Sequence, residues 1–169
     1  MKMDKSFNNI SNELNIEAYV YTRVCDMITD QCKDVVRNLK RRPTFFESLK
    51  TSQTLSNIKD IVKFDDAKIN IGGGYDSTTG IFTVPWNGIY IFSCTIMGNA
   101  GGAVHFQLNK NDQLYTAGFV AKSNYGAQTV NSFAEFRTGD KVYVKHRSSA
   151  SESVRESHFS TFSGYLLSK

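Results

Sequence analysis

Few residues in this chain of 169 are of the types that do chemistry, and their spacing is unpromising for catalysis. His105, His146 and His158 form no HExxH or other close ligand spacing, and no acid is expected beside them to complete a metal site. Gly72-Gly73-Gly74 is followed by neither Lys-Ser nor a helix start, which excludes a phosphate loop and leaves a strand connection. No serine stands in a Gly-x-Ser-x-Gly elbow. Neither an enzyme nor a cofactor is expected. Binding chemistry is better represented. Sugar recognition uses aromatic faces together with cationic and hydrogen-bonding side chains. Lys122, Asn124 and Tyr125 offer these within one loop, and Arg147 and Arg155 offer them around the serine-rich stretch 148–157. Ordinary solvated loop residues offer the same groups, so these five are candidates for ligand binding on type and spacing alone.

The elements that must position them fall into two parts. From Pro43 onward the chain reads as short strands divided by turns, the all-β pattern, with candidates at 44–49, 61–64, 69–71, 81–84, 89–96, 104–110, 113–120, 129–136, 141–146 and 159–167. Ten strands with no helix between them suit a jelly-roll sandwich. The stretches 98–102 and 148–157 read as the loosest connections, the second as a mobile surface loop. Pro85-Trp86-Asn87-Gly88 reads as a tight turn between two strands. The strand after it is unusual, because Ile89, Tyr90, Ile91 and Phe92 are apolar on both faces. One face fills the core, and a neighbouring subunit is the expected cover for the other; a loop of the same sandwich is the alternative.

Ahead of Pro43, Leu14, Ala18, Tyr21, Cys25, Ile28, Cys32, Val35 and Leu39 follow a four-three repeat, a heptad seam roughly 40 Å long. Ser11 or Asn12 is expected to cap this helix, and Pro43 to end it. Tyr19, Val20, Met27 and Val36 widen the stripe. It serves either a coiled coil of identical chains, the favoured expectation, or docking on the chain's own head. Cys25 and Cys32 occupy equivalent heptad positions, so in a parallel bundle each faces its own copy and is a candidate for an interchain disulfide; small apolar filling of the seam is the alternative. Asn9-Ile10-Ser11 is a glycosylation sequon ahead of the seam.

The net charge of +4 is spread along the chain, with eight Lys/Arg against six Asp/Glu up to Arg42 and twelve against ten beyond. That leaves no nucleic-acid footprint. Lys40-Arg41-Arg42 reads as a solvated linker, and no segment approaches the ~20 apolar residues of a membrane span.

The register Phe64, Asn70, Tyr75, Phe82, Gly88, Tyr90, Phe92 resembles the pattern of the complement C1q globular-head family. Tyr75-Asp76 before Thr79-Gly80-Ile81-Phe82-Thr83, the run Thr138 to Val144 and the ending Phe162 to Leu167 are similar to its other blocks. The resemblance covers 43–169, about three quarters of the chain. One position departs, Cys94, where a final aromatic is expected. The resemblance implies a C1q/TNF-like jelly-roll head at 43–169, a helical segment at 1–42 in place of a collagen stalk, homotrimers and an extracellular life. Residues 1–14 carry no apolar core of a secretory signal, so a removed signal is expected. Some relatives hold calcium through paired aspartates in the loop matching 122–128; that loop has no carboxylate here, so inherited calcium binding is not expected. The function implied is lectin-like pattern recognition of glycans or microbial surfaces through multivalent heads. A receptor-binding signalling ligand and a structural matrix subunit are the alternatives.

Overall fold

The computed structural model describes residues 3–40 and 42–169 and, within the helix, the side chains of 16 and 18–35. The chain divides into two compact units, Met1–Arg41 and Arg42–Lys169. The first is one helix, α1, Met3–Lys40. It starts earlier than expected and runs straight through Ser11 and Asn12, which therefore do not cap it. The reason lies upstream: Met3, Phe7, Ile10 and Leu14 continue the same four-three spacing with no glycine or proline to stop it. Ile16, Tyr19, Val20, Tyr21, Val24, Met27, Ile28 and Val35 are all exposed on it, as are Cys25 and Cys32. The seam positions Leu14 and Leu39, the flanking Val36 and the side chain of Asn9 lie outside the described side chains.

The second unit holds twelve strands: β1 Thr44–Ser48, β2 Gln53–Leu55, β3 Asp66–Ile71, β4 Tyr75–Asp76, β5 Ile81–Thr83, β6 Gly88–Met97, β7 Val104–Lys110, β8 Gln113–Val120, β9 Ala127–Phe136, β10 Lys141–His146, β11 Glu152–Val154 and β12 Thr161–Ser168. Two antiparallel five-stranded sheets, β3-β1-β12-β6-β9 and β4-β5-β10-β7-β8, face each other, and β11 pairs with β2. This is a mostly β, jelly-roll-like sandwich with one N-terminal helix.

Aromatic rings fill the space between the sheets. Phe45 stacks on Phe82 at 4.6 Å and meets Phe162 edge-on at 4.9 Å. Phe92 meets Phe136 edge-on at 5.3 Å. Burying six fully enclosed phenylalanines is the largest single source of stability, since each contributes ~1.5–3 kcal/mol on removal from water. Polar ends of the core aromatics are satisfied. The Tyr75 hydroxyl accepts from Phe64 N–H at 3.0 Å, and the Tyr90 hydroxyl donates to Trp86 O at 2.9 Å. Asn70 brackets Tyr75, donating through Nδ2 to its carbonyl and accepting its N–H. Cys94 is buried, and burial pushes its thiol well above the ordinary range, so it packs as a small apolar group.

Several expectations need correction. Residues 61–64 form no strand, although Ile61 bridges to Lys145. The short strands β2, β4 and β11 were not expected. The 85–88 turn carries the chain across the sandwich, since β5 and β6 belong to different sheets. Gly88 sits at φ 148, where an added Cβ would overlap the Ser168 carbonyl oxygen. The strand behind it is not sealed on both faces. Tyr90, Phe92, Cys94 and Ile96 point inward and are buried, whereas Ile89 is 39% exposed and Ile91 is half-buried. A row across all five strands, Ile71-Thr44-Tyr165-Ile91-Phe133, lies on this outer face. Phe133 is 74% exposed there, so the head itself leaves this row open to solvent.

Candidate functional site

One end of the sandwich gathers the connections β6–β7 (98–103), β8–β9 (121–126) and β10–β11 (147–151). Backbone hydrogen bonds tie them together: Gly98 N–H donates to Gly126 O at 3.0 Å, and Gly101 N–H to Ser123 O at 2.9 Å. Gly98 bridges to Val154, and Arg155 N–H donates to Met97 O at 2.8 Å. Loops joined this way hold a shape, and between them lies a groove of about 470 Å³. Asn99, Gly101, Lys122, Ser151 and Ser153 contribute to its lining.

The floor of this end is anchored by a hydrogen-bonded cluster of one carboxylate and two imidazoles. Glu152 Oε2 accepts His105 N–H at 2.6 Å and meets His146 Nε2 at 3.0 Å, while Oε1 meets His105 Nδ1 at 2.6 Å. His146 is fully enclosed, and its other ring nitrogen faces Asn57 O at 3.0 Å. Burial pushes the Glu152 carboxyl upward, but the bonds from the His105 backbone, the His105 ring and the His146 ring outweigh it and hold the carboxyl below its ordinary range. Acids thus do stand beside the histidines, Glu152 at His105 and His146 and Asp66 at His158, contrary to expectation. The mobile-loop reading of 148–157 is also wrong: Glu152 and Val154 are buried on strand β11. No group of three or more His, Cys, Asp or Glu able to hold a metal occurs among the described residues.

Two of the five candidate residues meet directly. The Arg155 guanidinium lies over the Tyr125 ring at 4.2 Å and over the Phe159 ring at 5.5 Å. Tyr125 reaches it from a strained backbone, φ 66, held by a bond from its N–H to Ser123 O at 3.1 Å. Lys122 lines the groove beside this stack. Asn124 is exposed on the same loop, and Arg147 is exposed at the start of the β10–β11 connection, where its N–H donates to His105 O; neither side chain is joined to the stack. Sequence reasoning missed Phe159 and Glu152. Phe159, an exposed aromatic beside a surface turn, was the available signal.

A serine, a histidine and an aspartate also come together elsewhere, without catalytic geometry. Ser48 Oγ and Asp66 Oδ2 both approach the same ring nitrogen, His158 Nδ1, at 2.9 and 3.1 Å. A base must present one nitrogen to the nucleophile and the other to its orienting acid. Ser48 is moreover 1% exposed, out of reach of a substrate.

Comparison with known proteins agrees with this architecture. The C1q domain model matches residues 44–167. The chain is 27% identical over 112 residues to the heavy metal-binding protein HIP of Mytilus edulis, covering 64% of this chain and 53% of that protein. It is also 27% identical over 126 residues to complement C1q tumor necrosis factor-related protein 3 of Mus musculus, covering 73% and 50%. The chain thus spans about half the length of the curated relatives it matches. Among solved structures, the globular domain of zebrafish complement 1qA superposes with a TM-score of 0.58 at 19% identity, covering 76% of this chain and 98% of that one. Murine APRIL gives 0.58 at 12%, covering 75% and 99%. These structures share the fold. With the family model spanning nearly the whole β unit, the chain belongs to the C1q domain family.

Proposed function

We propose that this chain is a secreted, trimeric recognition protein whose heads bind glycans or microbial surfaces through the loop-end groove, weak single contacts being multiplied by linked heads. The observation that carries this reading is the run Tyr165-Ile91-Phe133, contiguous across β12, β6 and β9 on an open sheet face, with Ile71 at the far edge beyond Thr44. A contiguous apolar face of this kind marks an interaction surface. A second apolar patch flanks it, with Leu114 and Tyr115 exposed on β8 and the Tyr115 hydroxyl donating to Phe133 O at 2.8 Å. Two different patches on one subunit fit a head-to-tail contact, which closes into a ring. The exposed apolar residues of α1 supply a second means of gathering chains, since helices with such a stripe bury it against copies of themselves.

The groove supports recognition over catalysis: it offers Lys122, hydroxyls and backbone polar groups, with no nucleophile, base and orienter in working order. No helix of the described residues is long and apolar enough to cross a membrane. Linkage raises the effective concentration for each later contact, so avidity does not require a tight single site. A glycan and lipopolysaccharide array tests the reading. Full-length chain is expected to bind a subset of glycans, and the isolated unit 42–169 to bind the same subset only weakly. Absence of binding to any sugar refutes it and points to the receptor-ligand or matrix alternative.

A further inference from the structure

Arg155 is the cation at the loop end that aromatic rings hold in place. Its guanidinium carbon sits over Tyr125 at 4.2 Å and Phe159 at 5.5 Å, so its faces are taken by rings. Among the described residues no hydrogen bond or ion pair engages its guanidinium N–H groups. Glu156 next to it feels the charge, but that carboxyl is held low first by its own backbone N–H and by Ser52. A guanidinium used through its faces still presents a planar edge of donors, and the partner that matches such an edge is a carboxylate taken in two parallel hydrogen bonds.

The stack and the groove adjoin. Ser153 lines the groove and Arg155 follows it by two residues, on the same side of the chain since Val154 between them is buried. On the opposite wall, Ser123 O accepts the N–H groups of both Gly101, which lines the groove, and Tyr125, which lies under the cation. A ligand with its acid on Arg155 would therefore extend over Ser153, Ser151 and Asn99, whose hydroxyls and amide match a sugar's hydroxyl groups. Tyr125 is held in a left-handed backbone conformation, and its ring already lies under the Arg155 guanidinium before any ligand arrives.

Resting on the glycan-recognition reading, we propose that Arg155, held over Tyr125 and Phe159, anchors the carboxylate of an acidic sugar whose hydroxyls occupy the neighbouring groove. The test is biolayer interferometry of the full chain against immobilised uronic-acid and sialic-acid oligosaccharides, each beside its methyl ester. At least one acid is expected to bind about tenfold or more tighter than its ester, since a charge-assisted pair is lost. Arg155→Lys keeps the charge but loses the planar fork, and is expected to bring the acid down to the level of the ester; Tyr125→Ala is expected to weaken the acid selectively. The comparison of acid with ester needs no mutation, so a misfolded variant cannot mask the answer. Equal binding of acids and esters, or neutral glycans bound with no acid preferred, overturns the anchor while recognition stands. No sugar bound at all overturns both.

Discussion

Glu47 should make this head less stable as the pH rises towards neutral. It lies on β1 between exposed Phe46 and buried Ser48, is itself 0% exposed, and both carboxylate oxygens lack a hydrogen-bond partner. Burial, followed by the nearby charge of Asp66, raises its carboxyl from 4.5 to about 7. For an acid raised in this way the folded state holds a proton that the unfolded state has released, so between pH 4.5 and about 7 stability falls with rising pH and then levels off. A shift of that size corresponds to roughly 3 kcal/mol. In a domain of this length that is a change in midpoint on the order of 10 °C. Glu47→Gln keeps the shape and removes the ionisation. Urea denaturation of wild type and E47Q from pH 4.5 to 8 should give curves that agree within about 1 kcal/mol at the acid end, where both groups are neutral amides or acids lacking a partner. Above neutral pH the variant should be the more stable by roughly 3 kcal/mol. Parallel curves over the whole range would refute the argument, because they would mean that the folded protein already stabilises the Glu47 anion.

Other substitutions probe separate parts of the account. Gly164→Ala places a Cβ 2.5 Å from the Phe92 ring and 2.7 Å from the Phe45 ring, and should cost about 1–3 kcal/mol in denaturant titration. Glu152→Ala leaves buried His146 with a ring nitrogen facing no acceptor and should destabilise the head by ~1–3 kcal/mol at neutral pH. Because the Glu152 carboxyl is held below its ordinary range, the wild-type advantage is present above that range and shrinks as the pH falls through the lowered value. Cys25 and Cys32 lie exposed on α1, so non-reducing electrophoresis after mild oxidation should show covalent multimers that vanish in the double serine variant.

The strands were legible in the sequence where alternation was strong. β7, β8 and β10 fall at the expected residues, because His105, Gln107 and their like alternate with Val104, Phe106 and Leu108. The C1q-like register was legible as well: Phe64, Asn70 and Tyr75 are joined by the bonds around Tyr75, and Phe82, Tyr90 and Phe92 share one core. β11 was not legible, since a polar string containing Glu152 becomes a buried strand only when His105, forty-seven residues away, and His146 across the β10–β11 connection bond its carboxylate. The same holds at the candidate site. Tyr125 and Arg155 are thirty residues apart in sequence, and only the bonds from Gly98 to Gly126 and from Arg155 to Met97 bring them into contact. The openness of the Ile89 and Ile91 face could not be read from period alone, which shows two apolar faces without showing which is covered.

Sedimentation equilibrium of the full chain, with and without reductant, tests most directly whether these exposed apolar surfaces are buried between copies. The account predicts a particle of three times the 19.0 kDa chain, retained in reductant, and a shift towards single chains when Ile91 and Phe133 are replaced by Glu. A 19.0 kDa particle at micromolar concentration in both conditions would contradict it, because multivalent recognition has no basis in a single head.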